Sequence, residues 1–324
     1  MAANSKIEWT DTSWNPLAGC TRASEGCDFC YAAKMALRLE AMALADIEAG
    51  KDPGGKSKYI GVATKNGRGI AAFNGTINLD EDELQRPYTW KKPRRVFVNS
   101  MSDLFHQNVP WWFQAKAFDV MRDNPRHTFQ VLTKRPDIAA EFALRLSYNL
   151  PPNIWIGTSV ENQEQADKRI PELLKIPAAV RFLSCEPLLG PIDLLKIRPA
   201  RNIEIDSLYG DQKTYVIEPG DRYDYRKLWS SVNWVIVGGE SGPNARPMHP
   251  DWARSIRDQC VEAGVPYFFK QWGQWLPLAS ADEADNHKGQ LSECGRFVKV
   301  GKKVAGRLLD GHTWDEFPQV EALV

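Results

Sequence analysis

Short runs rich in β-branched and aromatic residues recur along this chain, at 96–99, 128–133, 154–159, 180–185, 234–237 and 266–270. Each reads as a buried strand. Between most of them lie amphipathic stretches of helical period, at 111–124, 137–147, 163–176 and 252–263, with Asp, Asn or Pro near their starts. Several starts are about 25 to 35 residues apart, the length of one βα unit with its right-handed crossover. Such alternation favours a parallel sheet or barrel over an antiparallel sandwich and predicts an α/β fold, a full or partial (β/α) barrel of about six to seven units. Two stretches break the rhythm, near 45–95 (Gly- and Lys-rich) and 194–231 (charged and Tyr-bearing), and read as insertions. No Pro- or Ser-rich linker divides the chain, so residues 1–273 are expected to form the barrel with its insertions and 274–324 a C-terminal extension packed on it.

In parallel α/β folds chemistry collects at the carboxyl ends of strands. Here those ends are polar: Asn99-Ser100-Met101-Ser102-Asp103, Thr133-Lys134-Arg135, Thr158-Ser159-Val160-Glu161-Asn162, Ser184-Cys185-Glu186-Pro187, Gly238-Gly239-Glu240-Ser241-Gly242 and Lys270-Gln271-Trp272. Any one of these is ordinary cap or turn chemistry. Together at one rim they suit a polar cofactor with carboxylate, amine and ribose groups.

Cysteine placement narrows the chemistry. Cys20, Cys27 and Cys30 fall within eleven residues, whereas Cys185, Cys260 and Cys294 are scattered. The opening MAANSKIEWTDTSW lacks the basic start and apolar stretch of a signal peptide, and no run approaches a membrane span, so a cytoplasmic protein with no membrane association is expected. In a reducing compartment a tight cysteine group is a metal site or redox centre before it is a disulfide framework. Lys+Arg and Asp+Glu are equal at 41, which argues against a strongly basic, sequence-blind nucleic-acid binder. If a short strand precedes Cys20, the three cysteines lie in the first βα loop, at the polar rim. Three thiolates can hold three irons of a four-iron cluster and leave the fourth open. The competing reading is structural zinc, which needs a fourth ligand. His106, His127, His249 and the isolated cysteines are its candidates, and none belongs to a second paired motif.

At Cys20, Cys27, Phe29 and Cys30 the chain resembles the radical S-adenosylmethionine superfamily, in which an aromatic residue precedes the last of three cysteines. The superfamily's usual first gap is three residues, and here it is six. Ser102-Asp103 with Phe105, and Thr133-Lys134 with a following proline, resemble the spore photoproduct lyase-like branch. A broader likeness is to a phage- and prophage-borne three-cysteine family of unassigned activity. It rests on the opening block 6–16, on Ser184-Cys185-Glu186-Pro187-Leu188-Leu189-Gly190-Pro191, on Gly238-Gly239-Glu240-Ser241-Gly242 and on Lys270-Gln271-Trp272-Gly273.

The resemblance implies a radical-SAM-like barrel in which Cys20, Cys27 and Cys30 ligate a [4Fe-4S] cluster whose open iron binds S-adenosylmethionine. It implies that Ser100, Ser102 and Asp103 face the methionyl amine, that Lys134 pairs with the carboxylate, and that Ser159 and Glu161 serve the ribose. One-electron cleavage of the sulfonium would give methionine and a 5′-deoxyadenosyl radical that removes a hydrogen atom from the substrate. An electron donor such as flavodoxin or ferredoxin is then a partner. Gly238-Gly239-Glu240 lies too late in the chain to be the superfamily's amine-binding motif, and its glycines are expected to let backbone approach a ligand. Cys185 is a candidate hydrogen-atom donor, although packing is the simpler role. Glu186, Glu240 and Lys270 are candidate catalytic residues, and Arg246, His249 and Trp272 candidate substrate contacts. Twelve tryptophans, Trp111-Trp112 among them, could stack bases beside the Lys- and Arg-bearing insertion, and the resemblance to the spore photoproduct lyase-like branch and to a phage-borne family implies a nucleobase or nucleic acid before a peptide or small metabolite. The alternative from another class is a non-catalytic, zinc-bearing adaptor that binds nucleic acid or protein.

Overall fold

The computed structural model describes residues 5, 7–215, 223–228, 230–278, 290–292 and 296–319; Lys6 of the opening block and Cys294 lie outside them. The chain divides into two compact units, Met1–Ile156 and Gly157–Val324.

The first unit begins with β1 (Thr12–Trp14), a three-residue strand with no counterpart among the longer apolar runs. After α1 (Tyr31–Glu48) come β2 (Arg95–Val98), α2 (Trp111–Arg122), β3 (Thr128–Thr133), α3 (Pro136–Arg145) and β4 (Ile154–Ser159), which carries the chain into the second unit. β1 pairs parallel with β2, Trp14 opposite Val98, and β2 parallel with β3, Val98 opposite Val131. These strands are short and buried, so burial of Val, Phe and Ile rather than alternation drives them. α1 runs through an Ala- and Leu-rich stretch and stops where Gly50 takes a positive φ of 67°.

The insertion that follows α1 packs back on the unit. Tyr59, Val62 and Ala63 join Ala32, Ala36 and Met101 in one apolar cluster, against which Cys30 also packs. The buried Lys58 ammonium donates to the Asn15 carbonyl at 2.6 Å and pairs with Asp80 at 2.9 Å.

In the second unit the order continues β4, β5 (Arg181–Cys185), β6 (Trp234–Gly238), β7 (Tyr267–Gln271), with β5, β6 and β7 joined in parallel. Gly157 on β4 is there for Phe182, whose ring lies 2.4 Å from where a Cβ would stand. α4 (Gln163–Leu173) is capped by Asn162, and α5 (Pro250–Ala263) by His249 at its start and left-handed Gly264 at its end. The 194–231 insertion folds as its own antiparallel sheet of Ile197–Ala200, Ile203–Asp206, Asp211–Tyr215 and Tyr223–Lys227. The C-terminal segment returns to β6 and β7: the Trp234 indole donates to the Glu316 carbonyl at 2.8 Å, and the Phe269 amide to that of Trp314 at 2.9 Å. With seven strands in sequence order, the partial form of the expected (β/α) barrel is the one realised. Among the described residues no helix is long and apolar enough to cross a membrane.

Candidate functional site

The cysteine loop joins β1 to α1, so it sits at the carboxyl end of the first strand. Its entry is fixed by Gly19, whose φ of +103° and 1.9 Å from a built Cβ to the Thr76 carbonyl oxygen admit no side chain. The Cys20 carbonyl then accepts from the Gly75 amide at 3.1 Å, and Gly19 bridges to Ser102 in parallel register. Cys27 ends a 3-10 turn, Glu25–Cys27, and Cys30 caps α1. All three thiols are free and half-buried.

Around Cys20 lies a hydrogen-bonded clamp. Asp103, 4% exposed, uses both carboxylate oxygens. Oδ1 accepts from the Phe105 amide at 3.0 Å and the Thr133 hydroxyl at 2.7 Å. Oδ2 accepts from the Lys134 amide at 3.1 Å and Arg135 Nη1 at 2.8 Å. The same Nη1 reaches Cys20 Sγ at 3.8 Å, while Nη2 donates to the Thr21 carbonyl at 3.3 Å and hydroxyl at 2.8 Å. His106, fully buried, completes the group. Its Nδ1 accepts from the Asn108 amide at 3.2 Å, so the ring is neutral with its proton on Nε2, which donates to Thr21 Oγ1 at 3.0 Å. Burial and the Arg135 charge both hold His106 below its usual pKa.

Burial, reinforced by the Asp103 charge and opposed by Arg135, pushes the Cys20 thiol up to about 12. Burial raises Cys30 as well, opposed by amides of α1 and by the charge of Lys134. Cys27 acts on both, so its sulfur lies in electrostatic reach of each of the other two. Ser100 donates to Asn15 Oδ1 at 3.2 Å and Ser102 to the Leu17 carbonyl at 3.1 Å, so each hydroxyl is oriented yet keeps lone pairs that accept from an ammonium. Sequence reasoning left out Thr21 altogether, and it named Arg135 only as part of a polar strand end and His106 only as a zinc candidate, not as members of this clamp. The Arg-Pro step that closes the second polar strand end was the available signal for Arg135.

The candidates of the second unit form ion pairs. Glu161, fully buried, pairs with Arg169 Nη1 at 2.9 Å, and the same nitrogen donates to the Ser159 carbonyl at 2.8 Å. Glu186 pairs with Lys270 at 2.8 Å and accepts from the Ser184 hydroxyl at 3.2 Å. Glu240 receives a fork from Arg246, 2.7 Å and 2.9 Å, and its backbone amide at 2.8 Å. Cys185 is fully buried and held well above the usual thiol pKa by burial, with Cys260 nearby. Trp272 is 5% exposed and donates to the Leu308 carbonyl at 2.8 Å. His249 Nδ1 accepts from the Asp251 amide as the cap of α5. The two glycines serve protein contacts: a Cβ on Gly239 would stand 1.9 Å from the Trp272 carbonyl oxygen, and one on Gly238 2.7 Å from Glu186 Oε1.

Among the described residues no group of three or more His, Cys, Asp or Glu side chains could hold a single metal ion. Of the zinc candidates, His106 is engaged in the clamp and His249 at its helix, and His127 is buried beside the Trp90 ring at 5.5 Å. A four-iron cluster takes each thiolate on a separate iron, so its ligands stand wider apart than those of one ion. Three thiols flanked by Arg135 and Lys134 suit that anionic group in number and in charge.

Together these features define an α/β protein whose first βα loop carries three thiols beside a guanidinium clamp. The chain belongs to the family described as DUF5131, protein of unknown function, whose model matches residues 4–318. Comparison with curated proteins and with solved structures finds no match.

Proposed function

We propose that this chain is a radical S-adenosylmethionine enzyme acting on a substrate that is a nucleobase or nucleic acid. The observation that carries the reading is the placement of Arg135 Nη1, locked by Asp103, 3.8 Å from the sulfur of the first of three cysteines on one strand-end loop. Cys20, Cys27 and Cys30 would hold a [4Fe-4S] cluster, and the cluster with S-adenosylmethionine would supply one-electron cleavage of a sulfonium and hydrogen-atom abstraction from the substrate.

The chain's own residues do the rest. Arg135 offsets thiolate charge at Cys20 and Lys134 does so at Cys30. The oriented Ser100 and Ser102 hydroxyls accept from an amine. Asp103 takes a role different from the amine contact expected of it: its oxygens hold Thr133, Lys134 and Arg135, so it positions the cations rather than meeting the ligand. Flavodoxin or ferredoxin chemistry fits the electron-donor role.

The test is anaerobic purification and reconstitution with iron and sulfide. About four irons per chain and dithionite-dependent 5′-deoxyadenosine support the reading. Cys30→Ala should lose the iron, and Lys134→Ala should keep it and bind S-adenosylmethionine more weakly. Stoichiometric zinc with no cleavage overturns the proposal.

A further inference from the structure

Asn99 follows β2 directly, at the carboxyl end of a parallel strand, where ligands of such sheets gather. Its backbone is left-handed, φ 61°, a conformation that few non-glycine residues adopt and that Asn tolerates best. Both backbone groups are engaged: the amide donates to the Trp14 carbonyl at 2.9 Å and the carbonyl accepts from the Ser102 amide at 3.4 Å. The position is therefore held between β1 and the turn that presents Ser100, Ser102 and Asp103. The residue is 3% exposed, and among the described residues neither its side-chain nitrogen nor its oxygen has a hydrogen-bond partner.

Other buried carboxamides of this unit differ. Asn124 and Gln130 each leave only the oxygen unpaired and donate through the nitrogen to a carbonyl, of Val120 at 2.8 Å and Trp9 at 3.2 Å respectively. Asn99 alone leaves donor and acceptor both open. A buried group in that state destabilises the fold unless something outside the chain satisfies it.

We propose that the Asn99 carboxamide is a recognition group for a planar edge carrying an adjacent hydrogen-bond donor and acceptor, the edge that a nucleobase presents. This rests on the proposed function, which brings two sources of that edge to the site: the adenine of the cofactor and the base of a nucleic-acid substrate. An Asn side chain pairs with a base in this way through two simultaneous hydrogen bonds.

The experiment compares the reconstituted wild-type protein with Asn99→Gly, titrated separately with S-adenosylhomocysteine and with a single-stranded oligodeoxynucleotide of mixed sequence. Glycine accepts the left-handed backbone without strain, so the thermal midpoint should stay the same or rise. Loss of two hydrogen bonds should weaken binding about ten- to hundredfold. A loss for S-adenosylhomocysteine assigns the cofactor's base, and a loss for the oligonucleotide alone assigns the substrate's. If Asn99→Gly does not fold, Asn99→Asp, which keeps shape and turn preference but replaces the donor, should show the same loss. Unchanged affinity for both ligands in a folded variant overturns the assignment while leaving the proposed function standing. Wild-type protein that binds neither ligand overturns the proposed function, and the assignment with it.

Discussion

Asp103→Asn is the most informative single perturbation, because the isosteric amide has no acceptable orientation. With its NH2 at the Oδ2 position it faces the Lys134 amide and the Arg135 guanidinium, both donors, formerly at 3.1 Å and 2.8 Å. Flipped, it faces the Phe105 amide, formerly at 3.0 Å, and only the Thr133 hydroxyl can rotate away. Either way a fixed N–H meets an N–H, and Arg135, whose side chain is 12% exposed, loses the carboxylate that neutralises it. Removing one partner of a buried pair costs about 3–5 kcal/mol. For a unit of this size that lowers the thermal midpoint by roughly 10 °C, read by circular dichroism on protein without iron. Arg135→Gln should be costly too, and the double variant should lose less than the sum of the two, since the second change removes a group already stranded. A midpoint within about 2 °C of wild type for Asp103→Asn would refute the clamp, since surface changes commonly fall in that range.

Two further outcomes follow from the site and its supports. The Cys20 thiol, raised by burial to about 12 against an ordinary value near 9, favours its neutral form in the folded state. Its contribution to stability is therefore present below about pH 9 and lost as pH climbs from there toward 12. Iodoacetamide labelling of Cys20 in iron-free protein, followed by peptide mass spectrometry, should remain slow at pH 8, and a rate there equal to that of free cysteine would contradict the burial argument. Gly239→Ala puts a methyl 1.9 Å from the Trp272 carbonyl oxygen, whereas Gly67→Ala meets nothing within 4 Å. The first should cost about 2 kcal/mol or more in urea unfolding and the second almost nothing; similar midpoints would show that the Gly239–Trp272 approach is not tight.

What was legible in the sequence was local. The strand at 128–133 and that at 154–159 are found at those residues, and helix starts at Trp111 and Gln163 match their periodic patterns. β1 could be raised only as a condition, because three residues show no period, yet it is what places Cys20 at a strand end. The sheet inside 194–231 was hidden by Arg, Glu, Asp and Lys that interrupt the apolar pattern of its strands. Ion pairs across the fold were beyond reach: Asp103 and Arg135 are 32 residues apart, and Glu186 and Lys270 meet only when β5 and β7 flank β6. The Gly238-Gly239 pair shows the opposite error, a correct inference of close approach with the wrong visitor, since what comes near is Trp272 and Glu186.

Thr21 closes one question of polarity at the cysteine loop. Its oxygen receives N–H groups from His106 and Arg135, so its single proton is turned away from both. The hydroxyl is thereby a one-way valve for hydrogen bonding: anything that docks against it must offer a lone pair, and a guest bearing only N–H donors is refused at that spot.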